Sequence, residues 1–319
     1  MTSSYNSVFK PDLFAGQVII VTGGGSGIGR CTAHELSSLG AQLILIGRKQ
    51  EKLETVQQEI IEDGGKADIH ALDIREEDAV NKAVKQVVEA HGRIDGLVNN
   101  AGGQFASPLA MISTKGFEKV LATNVLGTFN MMRAAYQQWM YQNGGVIVNM
   151  AAEMWNGMPT MGHSGAARAG VVNLTKTAAF EWGPCGIRTN TVAPGWIASS
   201  GFDTYDEQTQ SMIPHLKEHV PLRRIATEAE VAAVITFLLS PASAYINGET
   251  IKINGGADTG GSLFNTFFST GTPAIGEPPE NSKPVPMIKA LLGSNKGNDA
   301  YQGFHRAVTP EALRDGEES

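Results

Sequence analysis

From about residue 17 the chain alternates short apolar, β-branched runs with longer segments of helical periodicity. The runs "QVIIVT", "QLILI", "KADIHAL", "IDGLVN", "GVIVNM", "IRTNTVA" and "ETIKING" read as strands. Between them, apolar residues spaced three and four apart predict helices near 28–39, 50–63, 76–91, 113–141, 163–183 and 227–240. Strands this apolar are covered on both faces, and strands separated by helices long enough to cross a sheet form βαβ units. The prediction is an α/β fold with a parallel sheet in a single domain over 12–256. No fixed-period repeat interrupts it. Beyond that point the pattern gives way to Gly, Pro, Ser and Asn ("STGTPAIGEPPENSKPVP") with one short helical candidate, "MIKALLG". Residues 257–319 are therefore read as a C-terminal extension, either an ordered cover or a partly disordered tail.

Composition narrows the class. With 42% hydrophobic and 18% charged residues and 37 glycines in 319 residues, the chain fits a packed α/β enzyme. Its formal net charge of −7 argues against a nucleic-acid partner. Cys31 and Cys185 are too few for a disulfide framework and lack metal-ligand spacing, so no metal site is expected and the compartment is read as reducing. No apolar run reaches membrane-spanning length, and "MTSSYNSVFKPD" lacks the order of a signal peptide. The expected location is the cytoplasm.

Strand "VIIVT" passes straight into "GGGSGIGR". Gly23, Gly27 and Gly29 permit a tight turn and the close approach of a pyrophosphate, whose charge the following helix N-terminus favours. At the end of the next strand, where an NAD site carries an acidic residue, "LILIGRKQ" has Gly47 followed by Arg48 and Lys49. Those cations suit a ribose 2′-phosphate and point to NADP(H). Asp73 after the third strand is a candidate for the adenine, and "NNAGG" (residues 99–103) lets the backbone pass close to a cofactor.

Taken in order, "TGGGSGIG", "NNAG", "ATNVLGTF" and "VAPGWI" resemble the short-chain dehydrogenase/reductase family over about residues 14–256. The resemblance implies a Rossmann-like doubly wound parallel sheet, a nicotinamide cofactor and a homotetramer joined through the two long helices. The cofactor contacts it implies are Gly23, Ser26, Gly27, Ile28, Gly29, Arg48, Lys49, Asp73, Ile74, Asn100, Ala101, Gly102, Arg168, Pro194, Gly195 and Ile197. The family's usual Asn, Ser, Tyr and Lys correspond here to Asn124, Ala151 or Ala152, Ser164 and Arg168. The strings "NNAGGQFASP", "STKGFEKVLATN" and "HSGAARAGVVNLTK" are similar to the peroxisomal trans-2-enoyl-CoA reductases and their 2,4-dienoyl-CoA reductase relatives. That branch of the family passes hydride from NADPH to a carbon of a conjugated alkene, which leaves a thioester enolate. The relatives carry a Tyr where this chain has Val172, and the ending "DGEES" lacks their peroxisomal signal.

Four residues are candidates for the chemistry: Asn124, which in the family anchors a water; Glu153, an acid if it keeps its proton; Ser164, a helix cap or hydrogen-bond donor; and Arg168, facing the nicotinamide ribose. His163 is a further possible donor. Lys176 stands in reserve for Arg168, while Arg223 and Arg224 could meet CoA phosphates and residues 198–220 form a lid. Tyr136, Tyr141, Tyr205 and Tyr245 are read as packing or surface residues. Three functions stay open: an NADPH-dependent reductase of a small conjugated enoyl thioester such as an acyl-CoA, a carbonyl reductase or alcohol dehydrogenase with a rebuilt proton relay, and a cofactor-binding protein without turnover.

Overall fold

The computed structural model describes residues 9–199 and 213–259. Seven parallel strands form one sheet in the order β3-β2-β1-β4-β5-β6-β9. They are β1 (Val18–Thr22), β2 (Gln42–Gly47), β3 (Lys66–Ala71), β4 (Gly96–Asn99), β5 (Gly145–Met150), β6 (Ile187–Pro194) and β9 (Thr250–Ile253). A separate two-residue parallel pair joins β7 (Ile197–Ala198) to β8 (Ala226–Thr227). The predicted doubly wound α/β fold is thus present. Strand order reverses between β1 and β4, and such a switch point opens a crevice at the carboxyl ends of the strands.

Alternation along the central strands divides the core into two layers. Ile19, Val21, Leu43 and Leu45 face one side, where they meet Leu36 of α1 (Gly27–Ser38), Leu53 and Ile60 of α2 (Gln50–Glu62), and Ile235 and Leu238. Those last two lie on the last described α-helix, residues 228–239. Val18, Ile20, Ile44 and Ile46 face the other side. There they pack on Val80, Val84 and Val87 of α3 (Glu77–His91) and on Met131 and Met132 of the next long helix. Each apolar run is read by both layers, which is why the strands show no polar alternation.

That long helix, α4, covers residues 114–143 and is not uniform. Ser113 caps it by accepting from the Gly116 amide at 3.1 Å. Two π-turns, Ala122–Leu126 and Tyr136–Met140, then interrupt the α-helical stretches. Sequence periodicity predicts a plain helix here, because one extra residue in a turn shifts the phase too little to register. Helix α5 (Gly162–Trp182) follows β5, and α6 (Glu228–Leu239) begins at a capping box of Thr227 and Glu230. Of the expected lid, residues 213–219 form a 3₁₀ helix, and 200–212, Tyr205 included, lie outside the described residues, as does "MIKALLG". Among the described residues no helix is long and apolar enough to cross a membrane, and no cluster of His, Cys, Asp and Glu could hold a metal ion.

Buried polar contacts tie the helices in place. Asn99 on β4 donates to Asn149 on β5 at 2.9 Å, Asn149 donates to the Thr175 hydroxyl on α5 at 2.9 Å, and Thr191 on β6 donates to the same hydroxyl at 2.8 Å. On the opposite face, Arg30 of α1 forks onto Glu59 of α2 at 2.9 and 2.6 Å, and His34 reaches the same carboxylate at 3.0 Å. Burial alone would raise the Glu59 pKa, but hydrogen bonds from His34 and Arg30, with their charges, outweigh it and bring it from 4.5 to about 2. A folded value below the unfolded one stabilises the fold above about pH 4.5, and this is lost as pH falls towards 2. Glu59→Gln should lower the unfolding free energy at neutral pH by about 2–3 kcal/mol. In urea titrations the gap between wild type and variant should close as pH drops from 4.5 towards 2.

Candidate active site

At the carboxyl end of β1 the chain turns through Gly23 (φ +67°) and Gly27 (φ +57°) into α1. A Cβ on Gly23 would come within 2.8 Å of the Asn100 amide nitrogen. One on Gly29 would collide with the Gly23 carbonyl and that same amide. Ser26 precedes α1 in an extended conformation and makes no capping hydrogen bond from its side chain, and no acidic residue sits in the first turn. The α1 N-terminus therefore offers its amides to an anion. Together, the slot that any Cβ would fill and the uncapped helix end fit a dinucleotide pyrophosphate.

The loop after β4 closes the same crevice. Asn100 donates to the Thr22 carbonyl at 3.0 Å, and the Ala101 amide donates to the Thr22 hydroxyl at 3.0 Å. Fully buried Asn124, carried by the first π-turn of α4, accepts from the Gly103 amide at 3.0 Å and donates to the Gly103 carbonyl at 2.9 Å. The π-turn is what sets this side chain across the loop, a frequent use of such bulges. Asn124 thus spends both ends of its amide on one residue's backbone.

Arg168 stands beside that loop. It is 8% exposed and donates from Nη1 to the Met150 carbonyl at 2.6 Å, while its Nε has no partner. A Cβ on Gly102 would lie 2.5 Å from Nη2, so only glycine leaves the guanidinium its room. Among the described residues it forms no ion pair, and burial brings its pKa from 12.5 down to about 10, which keeps it charged at neutral pH. An unpartnered, buried cationic N–H beside a glycine slot fits a ribose hydroxyl.

One turn earlier on α5, Ser164 donates to Gln104 Oε1 at 2.7 Å. The helix begins at Gly162, so Ser164 lies within it and the hydrogen-bonding alternative holds over capping. Buried His163 accepts from the Ser164 amide at Nδ1 (2.8 Å) and meets the Phe105 ring edge-on, 4.3 Å between centroids. Its Nε2 has no partner.

Other expected residues are engaged differently. Glu153 accepts from Asn254 at 2.5 Å and from the Trp155 amide at 3.4 Å. Both carboxylate oxygens are thus engaged as acceptors beside the end of β6. Asp73 accepts two bonds from Arg75 Nε at 3.0 and 3.1 Å and a third from Nη2 at 2.6 Å. Hydrogen bonding to Arg75 comes first in holding its carboxyl below the usual range, and the Arg48 charge adds to it. Asp73 is therefore tied to its own loop, with Ile74 packed behind it in the core. Arg48 and Lys49 are exposed at the end of β2. Pro194 ends β6, Gly195 follows it, where a Cβ would lie 3.0 Å from Asn254, and Ile197 opens β7.

Arg224 forks onto Glu230 at 2.8 and 2.6 Å, and Arg223 donates to the Glu218 carbonyl at 2.8 Å. Lys176 is exposed and cannot stand in for Arg168. Tyr136 stacks on Trp182, and Tyr141 and Tyr245 are exposed, in line with packing and surface roles. Sequence reading missed Arg75 and Asn254, which stand in no motif, and Gln104, which lies in "NNAGGQFASP" without a role assigned to it. It missed Glu228 as well, whose burial has no sequence signal.

Residues 23–258 match the family described as enoyl-(acyl carrier protein) reductase. A probable 2,4-dienoyl-CoA reductase of Bacillus subtilis is 39% identical over 75% of this chain and 96% of its own length. A peroxisomal 2,4-dienoyl-CoA reductase of Danio rerio is 34% identical over 80% of this chain and 86% of its own. Among solved structures, a citronellol catabolism dehydrogenase of Pseudomonas aeruginosa is 57% identical with a TM-score of 0.73, over 80% of this chain and 100% of that one. The chain belongs to the short-chain dehydrogenase/reductase family and is an oxidoreductase that uses NAD(P)(H).

Gly29→Ala places a methyl group on the Gly23 carbonyl. It should cost on the order of 1–3 kcal/mol of stability and abolish saturable NAD(P)H binding, measured by thermal melting and by nicotinamide fluorescence.

Proposed function

We propose that this protein reduces a conjugated enoyl thioester, of the trans-2-enoyl-CoA or 2,4-dienoyl-CoA kind, with NADPH. The observation that carries this is the pairing of Arg168, buried and charged with a free Nε, with Ser164, whose hydroxyl proton is committed to Gln104. The dienoyl-CoA reductase relatives point the same way. When bound, a reduced nicotinamide supplies the hydride.

The residues fit an alkene better than a ketone. A nascent alkoxide is strongly basic and calls for an acid in place, yet the Ser164 hydroxyl donates to Gln104 and Glu153 is bonded to Asn254. A thioester enolate spreads its charge onto oxygen and takes its α-proton from water afterwards. Arg168 orients the ribose, and its field stabilises the growing negative charge, an effect worth roughly 10²–10³ in rate for a well-placed donor. Asn124 acts one step back, by locking the Gly103 backbone that shapes the pocket floor. Arg48 and Lys49, exposed beside the Asp73 loop, favour the 2′-phosphate of NADP(H).

We further infer that residues 12–256 are the catalytic unit with 257–319 appended, that the protein works in the cytoplasm, and that it is a homotetramer. The tetramer is supported by the open apolar groove between α4 and α5, lined by Leu121, Val125, Leu126, Phe129 and Leu174. That neither Cys31 nor Cys185 forms a disulfide agrees with a reducing compartment.

A second reading is supported by the 57% identity to the citronellol catabolism dehydrogenase: oxidation of an acyclic branched alcohol with a rebuilt proton relay. The two separate in one assay. Purified protein should oxidise NADPH with trans-2-enoyl- or 2,4-dienoyl-CoAs and not with the matching 3-ketoacyl-CoAs. Silence on both thioester panels, with citronellol-dependent reduction of NAD(P)+, would transfer the assignment to the second reading. Arg48→Ala should raise the KM for NADPH about tenfold while leaving NADH nearly unchanged, the loss expected for one charge-assisted bond.

A further inference from the structure

Glu228, the first residue of α6, is 3% exposed. Its Oε1 lies 3.6 Å from the point a Gly27 Cβ would occupy, directly behind the turn that starts α1. That oxygen is buried and makes no hydrogen bond. Carboxyl groups are seldom buried without a partner. This one stands against the helix end that would take an anion.

We propose that Glu228 belongs to the dinucleotide site and gates it by protonation: the neutral acid leaves the α1 N-terminus to the cofactor pyrophosphate, and the carboxylate opposes it. The proposal rests on the dinucleotide site and not on the choice of enoyl substrate. Two anions beside one uncapped helix end compete for the same field. Burial pushes the Glu228 carboxyl up from 4.5 to about 8, against the pull of Arg30. Around it, Arg30 on α1 forks onto Glu59 of α2 while its charge also reaches Glu228, His34 shares the Glu59 carboxylate, Glu35 is buried on α1, and Glu230 on α6 itself binds Arg224. Because the folded value lies above the unfolded one, the neutral acid prevails below about pH 8 and is lost as pH rises through it. The 2′-phosphate titrates near pH 6, outside this window.

At an effective dielectric constant of about 20, a unit charge roughly 10 Å from another changes a binding constant by roughly tenfold. The Kd for NADPH, read by fluorescence between about pH 6.5 and 9, should therefore rise about tenfold through pH 8. Glu228→Gln, an isosteric mimic of the neutral acid, should keep the low-pH affinity throughout. Calorimetry of the wild type near pH 8, in buffers of different ionisation enthalpy, should show proton uptake on NADPH binding, and this decides the matter even if the variant does not fold. Parallel pH profiles for the two proteins, or binding without proton uptake, would overturn the role of Glu228. Absence of binding of both NADPH and NADH at every pH would overturn the dinucleotide site with it.

Discussion

The bond from Arg168 to the Met150 carbonyl fixes where α5 sits on the end of the sheet, and the rest of the site is built around that register. It is short, 2.6 Å, and buried. The Asn149–Thr175 contact on the same helix, two turns on, holds the second point of a line. With two points fixed, α5 cannot slide or roll, so Ser164 meets Gln104 and the Arg168 Nε is left free in the crevice. A charge-assisted bond to a carbonyl gives direction without neutralising the cation. A carboxylate partner would have done the reverse.

Leaving a charge buried and unmatched is costly, and Arg168 is so placed in the crevice where the proposed function puts the nicotinamide ribose. Glu228 presents the same economy with the opposite sign: burial keeps it neutral over most of the physiological range. By contrast, the Arg30–Glu59–His34 cluster is satisfied internally and ties α1 to α2. The contrast separates groups that hold the fold from groups held ready for a ligand.

Space is controlled as tightly as charge. Gly29 abuts the Gly23 carbonyl, and Gly102 abuts the guanidinium, so the crevice walls at these two places are backbone. The π-turn in α4 provides the complementary device, since it brings the Asn124 amide to the loop that ends in Gly103. Rigid backbone on one side and a pinned loop on the other make a slot for a flat, extended cofactor.

The sequence by itself determined the strand and helix order, the parallel sheet and the glycine turn after β1, because these rest on local periodicity and on backbone freedom at single residues. It also placed Asn124, Ser164 and Arg168 on two adjoining helices. What it left open was decided by tertiary packing: that Asp73 is claimed by Arg75, that Glu153 is claimed by Asn254, and that Glu228 loses its water. Partners from distant segments compete for each polar group, and burial sets its charge. Neither quantity exists until the chain has closed around the site.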